Sequence, residues 1–326
     1  MADRSAQRVR FGPTDLYVSR LCQGTAFRHL PRADDPRGLE VLHHCLERGV
    51  NFFDSAIAYG WGGAETVLGK AIAGRRDQAI ICTKVPASQA PVEFGGSGEP
   101  AVFTREYLFE QAEGSLARLG TDYLDLFLLH QPDKVTPAAE IIGPMDELVQ
   151  SGKVRYWGVS NHSGVQIGEY LELAAQRGKV GIVGTEDYYN IAGEARTTEG
   201  EPRMAKLEQE VFPVLRGAGL GLLAFSPIDC GNLAPGSEVE PGSPLEGLIE
   251  RLDEAAGELG TERSSVCVAW VLSHPEVTSV LAGSESPAHV DHNIAGTELE
   301  LPAEILTRLN AANAAYRERQ MKEKKE

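Results

Sequence analysis

A chain of 326 residues, 42% hydrophobic and 24% charged, has the profile of a globular protein that can bury one large core. Its formal net charge of −16 argues against non-specific binding to nucleic acid or to an anionic membrane surface. The five cysteines (Cys22, Cys45, Cys82, Cys230, Cys267) are scattered with no CxxC pair, which argues against a disulfide framework or a structural zinc.

The N-terminus "MADRSAQRVR" has no apolar stretch like that of a signal peptide, and no apolar run reaches the ~18 residues of a membrane helix. The expectation is a cytoplasmic protein. Residues 7–19, most of them in "RVRFGPTDLYVSR", read as a small hairpin placed to plug the bottom of a barrel. Eight β-like runs follow: Leu21–Ala26, Val50–Asp54, Ala79–Lys84, Tyr123–His130, Arg155–Asn161, Val180–Thr185, Leu220–Phe225 and Thr278–Gly283. The segments between them have helical periodicity. In the first, Asp35 can cap the helix, Pro36 suits the first turn, Leu39, Leu42 and Leu46 share a face, and Gly49 ends it. After the third run a helix starts near Thr104, aligns Leu108, Ala112, Leu116 and Leu119, and ends at Gly120.

Strands alternating with helices imply parallel pairing and right-handed crossovers, and eight such units imply one closed (β/α)8 barrel over residues 1–326. An open doubly wound sheet would carry a GxGxxG turn after an early strand, and there is none. "GNLAPGSEVEPGSPLEG" reads as a long loop after the seventh run. The tail, residues 316–326, is a charge run that reads as a solvated helix end or frayed terminus.

A barrel gathers its chemistry at the C-terminal ends of its strands. The second run ends at Asp54, the third at Lys84, the fourth at His130 and the fifth at Ser160 and Asn161. Each alone has a bland reading: a capping aspartate, a solvated rim lysine, a satisfied core histidine. Three consecutive strand ends, however, converge on one rim. A Lys84–Asp54 ion pair beside Tyr59 favours the phenolate, and is expected to lower the phenol pKa from its usual ~10. Tyr59 could then exchange a proton near neutral pH while His130 holds a carbonyl or hydroxyl oxygen. That is carbonyl–alcohol chemistry, and its hydride must come from a cofactor.

"GVNFFDSAIAYG" with "AETVLGKAI", then "CTK", "LDLFLLHQPD", "GKVRYWGVSNHS", "YYNI", "AFSP" and "AGSESPAHVDHN" occur in this order over nearly the whole chain. With them the chain resembles the aldo-keto reductases. The resemblance implies a tetrad of Asp54, Tyr59, Lys84 and His130, with Tyr59 as general acid in reduction and base in oxidation. It implies a nicotinamide nucleotide across the barrel mouth, without a Rossmann fold. Gly24 and Thr25 would lie beside it, Ser160 and Asn161 would bond its carboxamide, and Asn293 would meet its adenine. Glu186 stands where the family often has a carboxamide-binding Gln. Phe225, before Ser226, stands where a stacking Tyr is usual.

Members that use NADP commonly carry Arg or Lys in the loop of Gly283, Ser284 and Glu285. Here that loop offers Glu285 and Asp291, with His289 and His292 as the only cations. A carboxylate there repels a 2′-phosphate and accepts from free hydroxyls, so NAD(H) is favoured over NADP(H). His289 and His292 have no further ligand nearby, so no metal is expected. Phe27, Trp61, Tyr188 and Asp229 would line an open pocket for an aldehyde, ketone or sugar. Two other readings remain: a non-catalytic nucleotide sensor, like the barrel subunits that regulate ion channels, and an epimerase or lyase that uses bound nicotinamide internally. Oligomeric state is left open.

Overall fold

The chain folds with the alternation that its pattern predicts. A hairpin of β1 (Arg8–Arg10) and β2 (Tyr17–Ser19) precedes β3 (Leu21–Gly24), α1 (Pro36–Glu47), β4 (Phe52–Asp54), α2 (Gly63–Ile72), β5 (Ile80–Val85) and α3 (Arg105–Leu119). Then come β6 (Leu124–Leu129), α4 (Ala138–Gln150), β7 (Val154–Ser160), α5 (Gly164–Gln176) and β8 (Ile182–Tyr188). The remaining elements are α6 (Arg203–Lys206), α7 (Phe212–Ala218), β9 (Gly221–Phe225), α8 (Pro244–Leu259), α9 (Arg263–Leu272), β10 (Ser279–Ala282), α10 (Pro287–Glu298) and α11 (Ala303–Glu323). This computed structural model describes residues 7–27, 36–193 and 203–323. Asp35, expected to cap α1, lies outside the described residues.

β3 to β10 close into a barrel of parallel strands, with β10 paired to both β9 and β3. The helix signals hold where they can be seen. Thr104 caps α3 by accepting from the Tyr107 amide, and Gly120 ends it at φ 64°. Because side chains alternate along a strand, each strand feeds two cores. Phe53, Ile81, Phe127 and Leu129 face the helices, while Cys22, Phe52, Cys82, Leu126, Leu128 and Leu223 fill the barrel.

The hairpin does plug the barrel. Phe11 joins the inner core, edge-on to Phe52 with ring centroids 5.8 Å apart. Gly184 and Gly221 make room for it: a Cβ there would lie 2.6 and 2.9 Å from the Phe11 ring. Asn51 ties the hairpin to β4, accepting from the Ser19 amide at 2.7 Å and donating to the Tyr17 carbonyl at 2.9 Å.

Three expectations are corrected. The sixth barrel strand begins at Ile182 rather than Val180, because Gly181 at φ 73° breaks the extended path. It also continues to Tyr188, past the expected end at Thr185. The loop after β9 is shorter than read, since Ser243 caps α8 and Pro244 starts it. The tail is the end of a helix, one of its two expected forms, and is anchored at its base: Tyr316 is buried, and Arg317 donates to both Glu208 oxygens at 2.9 and 2.8 Å. Among the described residues no helix is long and apolar enough to cross a membrane.

Candidate active site

Alternation by two carries the inner face of each strand up to the mouth. Asp54 follows Phe52, Lys84 follows Cys82 and His130 follows Leu128. Asp54 pairs in register with Cys82, so Lys84 stands one inward position beyond it. The Lys84 ammonium donates to both Asp54 oxygens at 2.5 and 2.6 Å and to the Ser55 carbonyl at 2.9 Å. Both side chains are fully buried.

Tyr59 hangs from a tight turn after β4, its amide bonded to the Ala56 carbonyl at 3.0 Å. Gly60, Trp61 and Gly62 then take φ values of 59°, 46° and 96°. For Trp61 the left-handed region costs ~1–2 kcal/mol, which the surrounding contacts must cover. The turn brings the Tyr59 hydroxyl to 3.4 Å from Lys84 Nζ, and the His130 ring lies edge-on at 5.8 Å between centroids. The four residues expected to converge are therefore together. Sequence reasoning missed their brace: Glu65 of α2, fully buried, accepts from Thr83 and from Arg118, each at 2.6 Å. It fixes the helix after the Tyr59 turn to the strand that bears Lys84.

Glu186 joins this cluster instead of standing apart from it. From Trp157 to Val159 on β7 is a step of two residues, but their partners Ile182 and Thr185 on β8 are three apart. That bulge flips the alternation, turning Val183 inward below it and Glu186 inward above it. Glu186 Oε2 ends 3.3 Å from Lys84 Nζ, buried and without a hydrogen-bond partner. Asp54 also takes side-chain hydrogen bonds from Glu186 and Cys82. Asp54, Cys82 and Glu186 bring ligand atoms within 4.8 Å of one another, and the ammonium already occupies the position a cation would take.

The electrostatics correct one expectation. Burial raises the Tyr59 phenol, and the Lys84 ammonium does not offset this because Asp54 and Glu186 oppose it. The phenol is thus a weaker acid than usual. Burial also works against the Lys84 ammonium, but Asp54 and Glu186 outweigh it and hold its pKa well above the ordinary value. Burial, then Lys84, lowers His130 to about 3, so its imidazole is neutral at physiological pH.

Around the mouth the other expected residues fall as follows. Gly24 pairs in register with Asp54, and the Thr25 hydroxyl donates to the Asp54 carbonyl at 3.0 Å and accepts from Ser55 Oγ at 2.9 Å. Asn161 donates to the His130 carbonyl and to Ser160 Oγ, both at 2.9 Å, while its Oδ1 is buried with no partner. A primary amide NH2 would satisfy that oxygen, so the site fits a nicotinamide carboxamide. Phe225 is half-buried, edge-on to Tyr188. Beyond it Ser226, Asp229 and Cys230 adopt positive φ. After β10, a Cβ on Gly283 would meet nothing within 4 Å, so that turn has open space. Asn293 donates to Ser284 Oγ at 3.0 Å, and Ser286 caps α10 by accepting from the His289 amide at 3.3 Å. Glu285 is half-buried between them.

The pocket residues divide. Tyr188 donates to Asp229, and Trp61 is half-buried beside Tyr59. Phe27 instead belongs to the outer core, where its ring packs on α1 at Gly38. A further correction concerns cations near α10. Asp291 is met by Arg48, in the turn just after α1, and by His44 Nε2 of α1 at 2.9 Å, so a cation from outside the loop is also at hand.

The model of the Aldo/keto reductase family matches residues 20–314. Uncharacterized oxidoreductase YrpG of Bacillus subtilis (strain 168) is 31% identical over 92% of this chain and 93% of that protein. A probable voltage-gated potassium channel subunit beta of Oryza sativa subsp. japonica is 28% identical over 94% of this chain and 96% of its own. Among solved structures, the holo form of aldo-keto reductase AKR11C1 from Bacillus halodurans superposes with a TM-score of 0.78 at 29% identity, covering 94% of this chain and 96% of that one.

Proposed function

The chain belongs to the aldo/keto reductase family, whose members are nicotinamide-dependent oxidoreductases acting on small carbonyl compounds, and from that premise we propose that it interconverts an aldehyde, ketone or sugar carbonyl and its alcohol through Tyr59. The observation that carries this reading is the buried Lys84–Asp54 pair, with Tyr59 Oη 3.4 Å from Nζ and His130 alongside.

Bound nicotinamide supplies or takes the hydride. Everything else falls to this chain. Tyr59 starts protonated, because burial holds its phenol above the ordinary range. As charge grows on the carbonyl oxygen, the Oη proton passes to it. The phenolate left behind faces the Lys84 ammonium, which stabilises it. His130, neutral, offers a ring N–H to the same oxygen and fixes its position. In the reverse direction the phenolate is the base. Asn161 Oδ1 and Ser160 would hold the carboxamide, and the Phe225 face would cover the ring. Gly24 and Thr25 would flank it, and Ser226, Gly283, Ser284, Glu285, His289 and Asn293 would take the adenosine end. Glu285 supports NAD(H) over NADP(H), since its carboxylate would face a 2′-phosphate. Trp61, Tyr188 and Asp229 would line the substrate side.

The test is a screen of aldehydes, ketones and sugars against NADH and NADPH, and of alcohols and sugars against the oxidised forms. A change in cofactor absorbance on adding carbonyl is the expected result. The rice relative's name favours a second reading, a regulatory nucleotide-binding subunit. Tight cofactor binding without turnover of any compound would favour that one.

A further inference from the structure

We infer that Glu186 is a positioning residue of the acid–base cluster: a neutral carboxyl group that shares its proton with Asp54 and keeps the charge facing Tyr59 balanced. This rests on the reading of Tyr59 as proton donor.

The argument is one of charge and geometry. Asp54, Lys84 and Glu186 are all fully buried, and the β8 bulge turns Glu186 onto the ammonium. If both carboxylates were ionised, two negative charges would face one positive charge in a dry site. One proton brings the sum to zero. The groups that face Glu186 come from each neighbouring element: Cys22 on β3, Asp54 on β4, Tyr59 in the turn, and Cys82 and Lys84 on β5. Burial keeps both thiols protonated, so Lys84 is the one cation among them.

The bond pattern says which carboxyl holds the proton. Both Asp54 oxygens accept from Lys84, at 2.5 and 2.6 Å. Glu186 Oε2 lies farther from the ammonium, at 3.3 Å, without the short two-oxygen contact that Asp54 makes. The ionised group is therefore Asp54, and Glu186 donates to it. Burial and the adjacent Asp54 charge hold the Glu186 carboxyl well above the usual carboxylate range, in keeping with this. Ionising Glu186 would add a negative charge beside Lys84, and that charge acts with burial and Asp54 to raise the Tyr59 phenol. Reduction should thus slow as pH rises through the Glu186 titration.

Two measurements decide it. The first is infrared spectroscopy of the cofactor-free protein. A protonated-carboxyl C=O band, sensitive to D2O, is expected in wild type at neutral pH, well above the ~4.3 of an ordinary glutamate, and absent in Glu186→Gln. No such band in wild type, or one that survives in the variant, overturns the inference. The wild-type titration of that band stands even if the variant fails to fold. The second is the pH profile of kcat/KM for reduction. Glu186→Gln should move the alkaline limb upward by a pH unit or more, a tenfold difference in rate at the edge, and Glu186→Asp should bring the limb back. Superimposable profiles overturn the proposal. If no carbonyl compound is turned over at all, the proposed function fails while the infrared result still decides the proton's place.

Discussion

Two clusters of charge differ in one respect that governs what each can do. At the mouth, Asp54, Lys84 and Glu186 are at most 3% exposed. On the flank, Asp291 meets Arg48 and His44 with side-chain exposures of 41%, 31% and 23%. Both have short contacts and mixed signs. Water screens the second, so its charges contribute little to stability. The first has no such screen, and every charge there sets the protonation of its neighbours. A buried cluster suits the acid–base role proposed for it, and a wet one suits the tuning of recognition.

The comparison can be broken most forcefully at Lys84. Lys84→Met leaves the buried Asp54 carboxylate with no cation, and breaking a buried pair costs about 3–5 kcal/mol. The expected result is a large fall in Tm and no turnover near neutral pH, with partial recovery at lower pH as Asp54 takes a proton. Thermal melts and a pH–rate profile check it, and an unchanged melt would mean that the site is wet.

Tyr59→Phe removes the donor and keeps the ring. Loss of a general acid is worth ~10²–10⁴-fold in rate. Here kcat should fall by that much while cofactor affinity, read by fluorescence titration, stays put. Wild-type turnover would put the proton on another group.

Glu285→Arg sharpens the wet side. Like charges at a few ångströms cost on the order of 1–4 kcal/mol at surface-like dielectric, roughly a ten- to thousandfold preference for NAD(H). The variant should flatten or invert the ratio of the NADH and NADPH dissociation constants, mostly through NADPH. An unmoved ratio would show that Glu285 does not face the ribose.

The smallest effect belongs to Asp291→Asn. Losing an exposed pair costs about 0–1 kcal/mol, so the melt should barely move. Freed from its partner, Arg48 should raise NADPH affinity a few-fold. A drop in stability as large as that of Lys84→Met would erase the distinction between the two clusters.

Much of this was legible in the chain, and the exceptions have physical causes. Asp54, Lys84 and His130 could be read because each ends an apolar run, where the period of two fixes the face it takes. Glu186 was expected at the carboxamide, but its contact with Lys84 could not be read, because the β8 bulge adds one residue and a period cannot show where its phase slips. The direction of the Tyr59 shift was misread because pairing an ammonium with a phenol counts one neighbour, while burial and two carboxylates act on it together. Arg48 escaped because it comes from the turn after α1, 243 residues from Asp291. The anchored base of α11 was hidden by composition: Arg317 looks like tail charge until Glu208 is found beside it.

The N-terminal plug acts at a distance from the chemistry it protects. Phe11 seals the barrel axis at Phe52, two residues behind Asp54 on the same inner face. Behind the proposed proton site lies the hydrocarbon that fills the barrel, and Phe11 closes it from below. The hairpin is therefore an insulator, and the acidity at the mouth depends on a segment that belongs to none of the eight β/α units. A change at Phe11, Gly184 or Gly221 would act as a leak, raising the dielectric beneath Lys84 without touching a residue that meets substrate.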